Sequence, residues 1–324
     1  MDLSTNYMGL ALNNPIIVGS SKLTSTFENV KKCIDNGAGA VVLKSIFEEQ
    51  LLTDPEKLKD QDAKYIHYPE AIDYINTYAK SQGLTEYLEL IKESKAYSDT
   101  PIIASINCVS DEEWPKFSQQ FEKAGADALE LNIAISPFNS NMESQEIEAI
   151  YVSIVKKVKK NVSIPVSVKI GSCFTNVSNI TLKLQNAGAD AIVLFNRFYR
   201  PDIDIKKQSL VNDNFLSAPQ EINQSLHWVS VLSNQLSCDI AASTGMHDYE
   251  GVVKQLLVGA DSTQICSALY NKGIVYIETI LFDLKKWMQK NEYEAIADFK
   301  SKIARSDENA AAFQRVQFMK QTVE

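Results

Sequence analysis

The sequence predicts an α/β protein, a closed (β/α)8 (TIM) barrel with long loops over the carboxyl-terminal mouth, because one helix-to-strand joint recurs and eight short apolar runs alternate with helical patterns. The joint reads Gly-Ala, then a small or acidic residue, then an apolar run that stops on a polar side chain. It begins at Gly37, Gly125, Gly188 and Gly259. Glycine suits a helix end because it enters the left-handed conformation cheaply. No G-x-G-x-x-G follows the first run, which disfavours an open dinucleotide-binding sheet.

Eight runs have the short, apolar and β-branched character of strands that are buried on both faces. They are 15–19, 40–44, 101–105, 127–132, 165–170, 191–196, 238–242 and 262–266. Eight alternating units over 324 residues fit one barrel, and no Pro/Gly/Ser-rich linker divides the chain. We therefore predict a single domain over residues 1–324, with 305–324 as a peripheral C-terminal helix.

Helix starts can be identified at three places between these runs. Ser25-x-x-Glu28 and Ser110-x-x-Glu113 have the capping-box pattern, and Asp248 is a candidate N-cap for a third helix. The sequence therefore predicts helices that begin at these boundaries.

Two connections are longer than simple loops and are expected to lie over the mouth. Residues 45–85 separate strand two from the next clear helix, and 197–219 follow strand six; loops of such length are usually functional. Apolar residues alternate around 203–211, which predicts a small β-protrusion. Residues 274–304 are interpreted as one long and one short helix.

Composition excludes several functional classes. A net charge of −9, with no basic run, predicts no nucleic-acid partner. No uncharged apolar stretch reaches the roughly 18 residues of a membrane helix. Five cysteines without CxxC spacing and an amino end without a signal-like region predict a cytoplasmic protein. His227 and His247 lack the carboxylate spacing of a metal site, so we predict no metal.

Polar side chains collect at the predicted carboxyl ends of the strands, where barrels place their active sites. Lys44 ends strand two and Lys169 ends strand five, and an unpaired ammonium would be costly to desolvate there. Asparagines, whose amides can bond a heterocycle through both donor and acceptor, follow strands three, four and six: Asn107, Asn132 and Asn196. The alternative is that each lysine pairs with a core carboxylate such as Glu130, and that the asparagines only stabilise loops.

The last two predicted strands supply a candidate phosphate cradle. Thr244-Gly245 follows strand seven and Cys266-Ser267 follows strand eight. Barrels commonly bind a phosphate at this place with loop amides and a helix N-terminus. The alternative is that these are ordinary turn residues.

These motifs resemble those of the dihydroorotate dehydrogenase family, and the resemblance covers nearly the whole chain. It rests on VVLKS at strand two, ELN at strand four, VKI at strand five, LFN at strand six, both phosphate loops and the opening GLALNNPIIVGSS. The resemblance implies an FMN-binding (β/α)8 enzyme. It implies that the isoalloxazine and substrate side is lined by Gly19, Ser20, Lys44, Ser45, Asn107, Asn132, Lys169 and Asn196. It implies that the ribityl phosphate is held by Thr244, Gly245, Cys266 and Ser267.

The resemblance also implies catalytic roles. In that family a hydride passes from one substrate carbon to flavin N5 while a base takes a proton from the neighbouring carbon. Lys169 would stabilise the N1/C2=O edge of the flavin, and Lys44 would bridge flavin and substrate. The resemblance points to Ser136 as the base. Cys108 and Cys173 also lie on the mouth side and are interpreted as small buried hydrophobes.

The sequence departs from the family pattern at the base loop and the substrate lid. In place of Asn-x-Ser-Cys-Pro-Asn, residues 132–139 read NIAISPFN, with Ser136 one position farther from the asparagine. An unactivated and displaced serine is a poor base. The lid motif Asn-x-x-Gly-Leu-Pro-Asn is replaced by YIHYPEAIDYINTYAKSQGL over 65–84. FMN binding and dihydroorotate oxidation are therefore separate predictions.

Three further hypotheses remain open from the sequence. A family enzyme with another substrate would use Tyr74, Tyr78 or His67 from the lid. An FMN-binding barrel without catalysis would serve in electron transfer or regulation. An aldolase-type barrel would form a Schiff base on Lys169 or Lys44 and would contain no flavin.

The predicted partners are a small-molecule substrate and an electron acceptor. The amino end carries no helical pair for membrane quinone access, which predicts a soluble acceptor or a partner subunit. The family resemblance implies a homodimer.

Overall fold

The computed structural model describes residues 1–47, 82–107, 113–135, 140–198, 201–211 and 215–304. The strands are β1 (Thr5–Tyr7), β2 (Leu10–Leu12), β3 (Ile16–Val18), β4 (Ala40–Val42), β5 (Ile46–Phe47), β6 (Ile102–Asn107), β7 (Ala128–Asn132), β8 (Val166–Ile170), β9 (Ala191–Leu194), β10 (Asp202–Asp204), β11 (Ser209–Val211), β12 (Asp239–Ser243) and β13 (Ser262–Ile265). The helices are α1 (Phe27–Asp35), α2 (Gln82–Tyr97), α3 (Glu113–Ala124), α4 (Ser144–Asn161), α5 (Val177–Asn186), α6 (Ile222–Leu232), α7 (Tyr249–Leu257), α8 (Ser267–Lys272) and α9 (Tyr276–Lys290).

Eight parallel strands close into the predicted barrel. Their order around the barrel is β4, β3, β13, β12, β9, β8, β7 and β6, and a β4–β6 pairing completes the ring. Each of the eight predicted strands is present, with its ends within two residues of the expected ones. The β10–β11 hairpin confirms the predicted protrusion, and α9 with a 3-10 turn at Ile296–Asp298 confirms the long and the short helix.

The repeated glycine joint has a structural explanation that includes its acidic residue. All four glycines have positive φ, between +88° and +109°, as helix ends of this kind require. In three joints the aspartate after Gly-Ala accepts a 2.7 Å hydrogen bond from a backbone N–H at the start of the preceding barrel strand and also pairs with a lysine. The pairs are Asp127 with Lys95, Asp190 with Lys159 and Asp261 with Lys300. The joint therefore sets both the helix end and the strand spacing.

The amino-terminal hairpin β1–β2 packs into the end of the barrel opposite the mouth. Tyr7, Met8 and Leu12 are buried against inward-facing side chains of the strands, such as Ile17 and Val193. Met8 N–H donates to Asp239 Oδ2 at 2.6 Å, which attaches the hairpin to the first residue of β12. A larger apolar layer separates the outer face of the strands from the helices. The barrel interior is thus filled at this end.

Two boundary predictions are tested by the described residues. Asp248 caps α7 by accepting from Gly251 N–H at 3.0 Å, as predicted. The predicted cap at Ser25 is wrong: Ser25 donates to Lys22 O and ends a 3-10 turn, whereas the extended Thr26 caps α1 by accepting from Asn29 N–H. An N-cap needs extended backbone, and only Thr26 has it.

Several predictions fall outside the described residues. They are the cap at Ser110, most of the 45–85 connection and the helix over 305–324. In the described part of the chain, none of the helices has both the length and the apolar character that crossing a membrane requires.

Candidate functional site

The inward-facing positions of the barrel strands become polar toward their carboxyl ends. Side chains alternate along a strand, so Ala128, Glu130 and Asn132 share the inner face of β7. Lys169 on β8 lies in register with Asn132, and it is only 7% exposed. Small apolar groups at the closed end therefore give way to amide, carboxylate and ammonium groups at the mouth.

A continuous hydrogen-bond network joins residues from five parts of the mouth. Asn196 Nδ2 donates to Asn132 Oδ1 at 2.8 Å, and Asn132 Nδ2 lies 3.4 Å from Ser45 Oγ. Ser45 Oγ is 3.0 Å from Ser20 Oγ and 2.7 Å from Ser105 Oγ. The structure therefore brings together four of the predicted residues, and it adds Ser105, which sequence reasoning missed.

Asn107 at the end of β6 is buried, with 7% of its surface exposed, yet its Nδ2 has no hydrogen-bond partner among the described residues. A buried amide without a partner is costly, so such a group commonly serves a ligand. Its strand is held in place by Tyr87, whose hydroxyl bonds both the N–H and the C=O of Ser105 at 2.8 and 3.0 Å.

Lys169 lies in a second polar cluster, which spans three strands. Its Nζ donates to Gln264 Oε1 at 2.9 Å, and Gln264 Nε2 donates to Glu130 Oε2 at 2.5 Å. Lys169 Nζ also lies 3.6 Å from Glu130 Oε1. The expected alternative, a lysine paired with Glu130, is therefore present, and it occurs at the mouth itself.

Lys44 lies in a different part of the mouth from this cluster. Its backbone N–H donates to Thr24 O at 3.2 Å, and Lys44 lines a cavity of about 80 Å³ with Ser25, Glu86 and Tyr87. Helix α2 forms one wall of this cavity. The two lysines therefore have different neighbours, although both lie near the carboxyl ends of barrel strands.

The loop after β12 has positive φ at two successive residues, and there is no room for a side chain at the second. Thr244 has φ +74° and donates through Oγ1 to Phe195 O at 3.1 Å. Gly245 has φ +80°, and a Cβ atom there would lie 2.2 Å from the backbone nitrogen of Ile222. The start of α6 thus packs directly against this loop.

Hydroxyl groups and an imidazole surround the same loop. Ser217 N–H and Oγ donate to Ser267 Oγ at 2.9 and 3.0 Å. Ser217 Oγ also lies 3.3 Å from His247 Nε2 and accepts from Gly245 N–H at 3.3 Å. The ends of β12 and β13 are therefore joined to the connection that precedes α6, as one small polar cradle.

Cys266 and Gly19 belong to the boundary between the two polar regions. A Cβ at Gly19 would lie 2.9 Å from Cys266 Sγ, so the ends of β3 and β13 are closely packed. Burial raises the pKa of the Cys266 thiol, and the nearby Lys169 charge opposes that rise. This thiol is therefore a packing group and a poor nucleophile.

Of the residues considered for proton transfer, Ser136, Cys108, Tyr74, Tyr78 and His67 lie outside the described residues. Cys173 is exposed, which corrects the prediction of a buried hydrophobe, because it follows β8 in a connection rather than in the core. Partial burial still raises the pKa of its thiol.

Four residues of these clusters were missed by sequence reasoning: Ser105, Ser217, His247 and Gln264. Ser105 and Gln264 could have been identified, because each is a polar residue inside an apolar strand run. Ser217 and His247 lie in loops, and no local pattern predicts that they approach each other. Within the described ranges, no three His, Cys, Asp or Glu side chains are grouped to hold a metal ion.

Comparison with known proteins shows extensive similarity. The profile of the dihydroorotate dehydrogenase family matches residues 2–288. The catalytic subunit of dihydroorotate dehydrogenase B (NAD(+)) from Thermoplasma volcanium is 27% identical over 309 residues, which cover 92% of this chain and 97% of that protein. The corresponding subunit from Methanocella arvoryzae is 30% identical over 282 residues, which cover 83% of this chain and 88% of that protein.

A solved structure supports the fold. Dihydroorotate dehydrogenase from Eimeria tenella, in complex with ferulenol, superposes with a TM-score of 0.67 at 16% identity. The match covers 94% of this chain and 89% of the other. The similarity thus extends over the barrel and is not confined to one motif.

Proposed function

The chain belongs to the dihydroorotate dehydrogenase family, and from this premise we propose that it is an FMN-dependent oxidoreductase that oxidises a CH–CH bond of a dihydropyrimidine-like substrate. The family match over residues 2–288 is the observation that supports this class of reaction. The arrangement of donors at the mouth supports the cofactor and its placement.

The residues at the mouth fit FMN in number and kind. A flavin ring presents acceptors and a donor along one edge, which amide and ammonium groups can satisfy. Asn107 Nδ2 is buried without a partner among the described residues, and Lys169 Nζ makes one hydrogen bond there, so both have capacity for a ligand. We assign the ring to Gly19, Ser20, Lys44, Ser45, Asn107, Asn132, Lys169 and Asn196, as the sequence predicts.

The cradle after β12 and β13 fits a phosphate. Gly245 N–H, the Ser217 and Ser267 hydroxyls and the His247 ring lie within one network. Backbone and hydroxyl donors at this end of a barrel bind phosphate well. We assign the phosphate to Thr244, Gly245, Cys266 and Ser267, and we add Ser217.

When bound, FMN supplies the hydride acceptor at N5. The chain contributes the charge and the orientation. Lys169 places a cation at the edge where negative charge increases, and such preorganised charge lowers the barrier in a site that excludes water. Asn132 and Asn196 fix each other through their 2.8 Å bond, so their remaining amide atoms have a defined direction. Lys44 is proposed to contact both flavin and substrate.

The catalytic base and the substrate are proposed from the loop after β7 and from the lid. We propose Ser136 as the base. In NIAISPFN over 132–139 there is no cysteine, and Ser136 stands one residue farther from Asn132 than the base does in the family pattern. That departure, with the altered lid, favours one alternative: an FMN barrel that acts on another substrate or only transfers electrons. Two of the relatives are named catalytic subunits, which supports a partner subunit as the electron acceptor. A soluble small-molecule acceptor is the other proposal. We also propose that the chain forms a homodimer, as the family resemblance implies.

An anaerobic absorbance titration tests the proposal. Purified protein is expected to show flavin bands that bleach when dihydroorotate is added. Bands that persist would support the alternative and lead to a screen of other dihydro-heterocycles. A colourless protein that takes up no FMN would contradict the cofactor assignment, and trapping with borohydride would then test the Schiff-base hypothesis.

A further inference from the structure

Lys169, Gln264 and Glu130 form a chain of buried polar groups that crosses the barrel. They lie on β8, β13 and β7, and their exposed fractions are 7%, 2% and 1%. Lys169 Nζ donates to Gln264 Oε1 at 2.9 Å, and Gln264 Nε2 donates to Glu130 Oε2 at 2.5 Å. The direct distance from Lys169 Nζ to Glu130 Oε1 is longer, at 3.6 Å.

The chemistry of the neighbours allows only one orientation of the Gln264 amide. An ammonium only donates and a carboxylate only accepts. The amide oxygen must therefore face Lys169, and the amide NH2 must face Glu130. Rotating the amide by 180° would place a donor against a donor and an acceptor against an acceptor. Glu130 thus determines which atom Gln264 presents to Lys169.

Packing also restricts where the amide can go. A Cβ atom at Gly19 would lie 3.3 Å from Gln264 Oε1 and 2.9 Å from Cys266 Sγ, so the end of β3 closes over this side chain. The Gln264 amide therefore occupies a narrow slot between strands. A group confined in this way can hold its partner at a fixed position.

The consequence for Lys169 is electrostatic. Opposite charges in a buried site attract strongly, and without an intervening group they close to direct contact. Here the Gln264 amide bonds to both charged groups at once, and the ion pair stays at 3.6 Å, which is longer than a direct hydrogen bond. The ammonium is thereby kept toward the mouth instead of being drawn onto the carboxylate.

We propose that Glu130 and Gln264 are positioning residues, with Glu130 orienting the Gln264 amide and Gln264 holding the Lys169 ammonium at the flavin N1/C2=O edge. This inference rests on the proposed function, because it takes FMN as the ligand of Lys169.

The test measures sulfite binding to the FMN-loaded protein by absorbance. Sulfite adds reversibly at flavin N5 and leaves negative charge at the N1/C2=O edge, so its affinity reports the cation held there without any substrate. Gln264→Met keeps size and charge but removes both hydrogen bonds. We expect it to weaken sulfite binding about tenfold, equivalent to a midpoint potential lower by about 30 mV for two electrons.

A matched control and a double-mutant cycle separate positioning from general damage. Gln255 is also a fully buried glutamine with a side-chain bond, to Ser225 at 2.9 Å, but it lies on α7. Gln255→Met should leave sulfite affinity unchanged. In a Lys169→Met background, Gln264→Met should have no further effect, because Gln264 acts through Lys169. Equal effects of both glutamine variants, or additive effects in the cycle, would overturn the inference.

A readout that needs no flavin keeps the inference separate from the proposed function. In a crystal structure of Gln264→Met, Lys169 Nζ should move into direct contact with Glu130. An unchanged Nζ position would overturn the positioning role, whether or not FMN is bound. If the wild-type protein takes up no FMN but Lys169 Nζ still moves in Gln264→Met, the cofactor assignment would be contradicted and the positioning of Lys169 by Gln264 would be supported.

Discussion

Asn196 Nδ2 donates a 2.8 Å hydrogen bond to Asn132 Oδ1, which joins the end of β7 to the residues after β9 across the intervening strand β8. This bond aligns two amides on either side of Lys169. The mouth is therefore ordered by side-chain contacts as well as by the strands.

Replacing Asn196 with alanine is expected to weaken FMN binding about tenfold. The variant loses its own contact to the ligand and leaves Asn132 free to rotate, and each lost bond costs about 0.5–1.5 kcal/mol. Fluorescence titration of FMN into apo-protein measures the change. Asn161→Ala is the control, because Asn161 is an exposed asparagine at the end of α4, before the amino end of β8, whose amide donates to Lys157 O at 2.7 Å and accepts from Gln119 Nε2 at 3.4 Å. Equal affinity in the two variants would contradict the assignment of Asn196.

Lys169→Met should slow flavin reduction by about 100-fold or more, which is the usual cost of removing one charge-stabilising group. Stopped-flow absorbance under anaerobic conditions measures the rate. The variant also leaves Glu130 as a buried charge without its cation, so unfolding should become easier by about 3–5 kcal/mol.

The double variant Lys169→Met/Glu130→Gln separates these two effects. It removes the unpaired carboxylate, so urea denaturation should show a recovery of stability while flavin reduction stays slow. If reduction recovers together with stability, Lys169 has a structural role only.

Gly245→Ala tests the cradle. The variant combines a positive φ of +80° with a Cβ that would lie 2.2 Å from Ile222 N, so we expect a loss of about 3 kcal/mol or more and much weaker FMN binding. Gly9→Ala is close in φ, at +77°, but has no atom within 4 Å of the added Cβ, and it should cost only about 1–2 kcal/mol. Urea denaturation and FMN titration compare the two. Similar losses in both would show that the contact with α6 is unimportant.

Asp239→Asn should stabilise the protein at neutral pH. Burial and the neighbouring Asp261 raise the pKa of Asp239 above its ordinary value of 3.8. A raised carboxyl pKa means that the contribution of this group to stability is present below the unfolded pKa and is lost as pH rises through the folded pKa. Asparagine stays uncharged and still accepts from Met8 N–H.

We therefore expect Asp239→Asn to gain on the order of 0.5 kcal/mol at pH 7, since the group is partly exposed. The gain should shrink as the pH falls toward 4. Thermal melts from pH 4 to 8 measure it, with the exposed Glu278→Gln as control. A gain that is equal at all pH values would exclude the electrostatic explanation.

Ser136→Ala tests the proposed base. General bases contribute about 100-fold to 10⁴-fold, so turnover of dihydroorotate should fall by at least 100-fold with FMN affinity unchanged. Unchanged turnover would remove Ser136 from the mechanism. Phenylalanine variants of Tyr74 and Tyr78 would then be assayed in the same way.

The barrel could be predicted because its signals are local. A buried parallel strand is short, apolar and β-branched, and the glycine at each joint marks a helix end within a few residues. The aspartate that follows was part of the pattern, but its function was not predictable, because Asp127 bonds Ile102, which is 25 residues away. The cap at Ser25 was wrong because Ser25 and Thr26 have similar local propensities, and only the preceding 3-10 turn decides between them.

The candidate site was predicted as a set of strand-end residues rather than as a network. Lys169, Asn132 and Asn196 were identified from position alone. That Gln264 bonds to both Lys169 and Glu130 depends on strand order around the barrel, since β13 and β7 are 134 residues apart at these positions. Ser217 and His247 meet only because α6 packs beneath the loop after β12.

In the described part of the chain, the amino-terminal hairpin closes the barrel at the end opposite the mouth. Because Tyr7, Met8 and Leu12 fill the far end, we expect the electron donor and the electron acceptor of the proposed reaction to reach the site from the mouth. If both bind over the flavin face, the first must depart before the second can enter, and steady-state rates should give parallel lines in double-reciprocal plots. If the electrons pass instead to a partner subunit, no second small molecule has to enter the mouth, and the next substrate molecule can bind there directly.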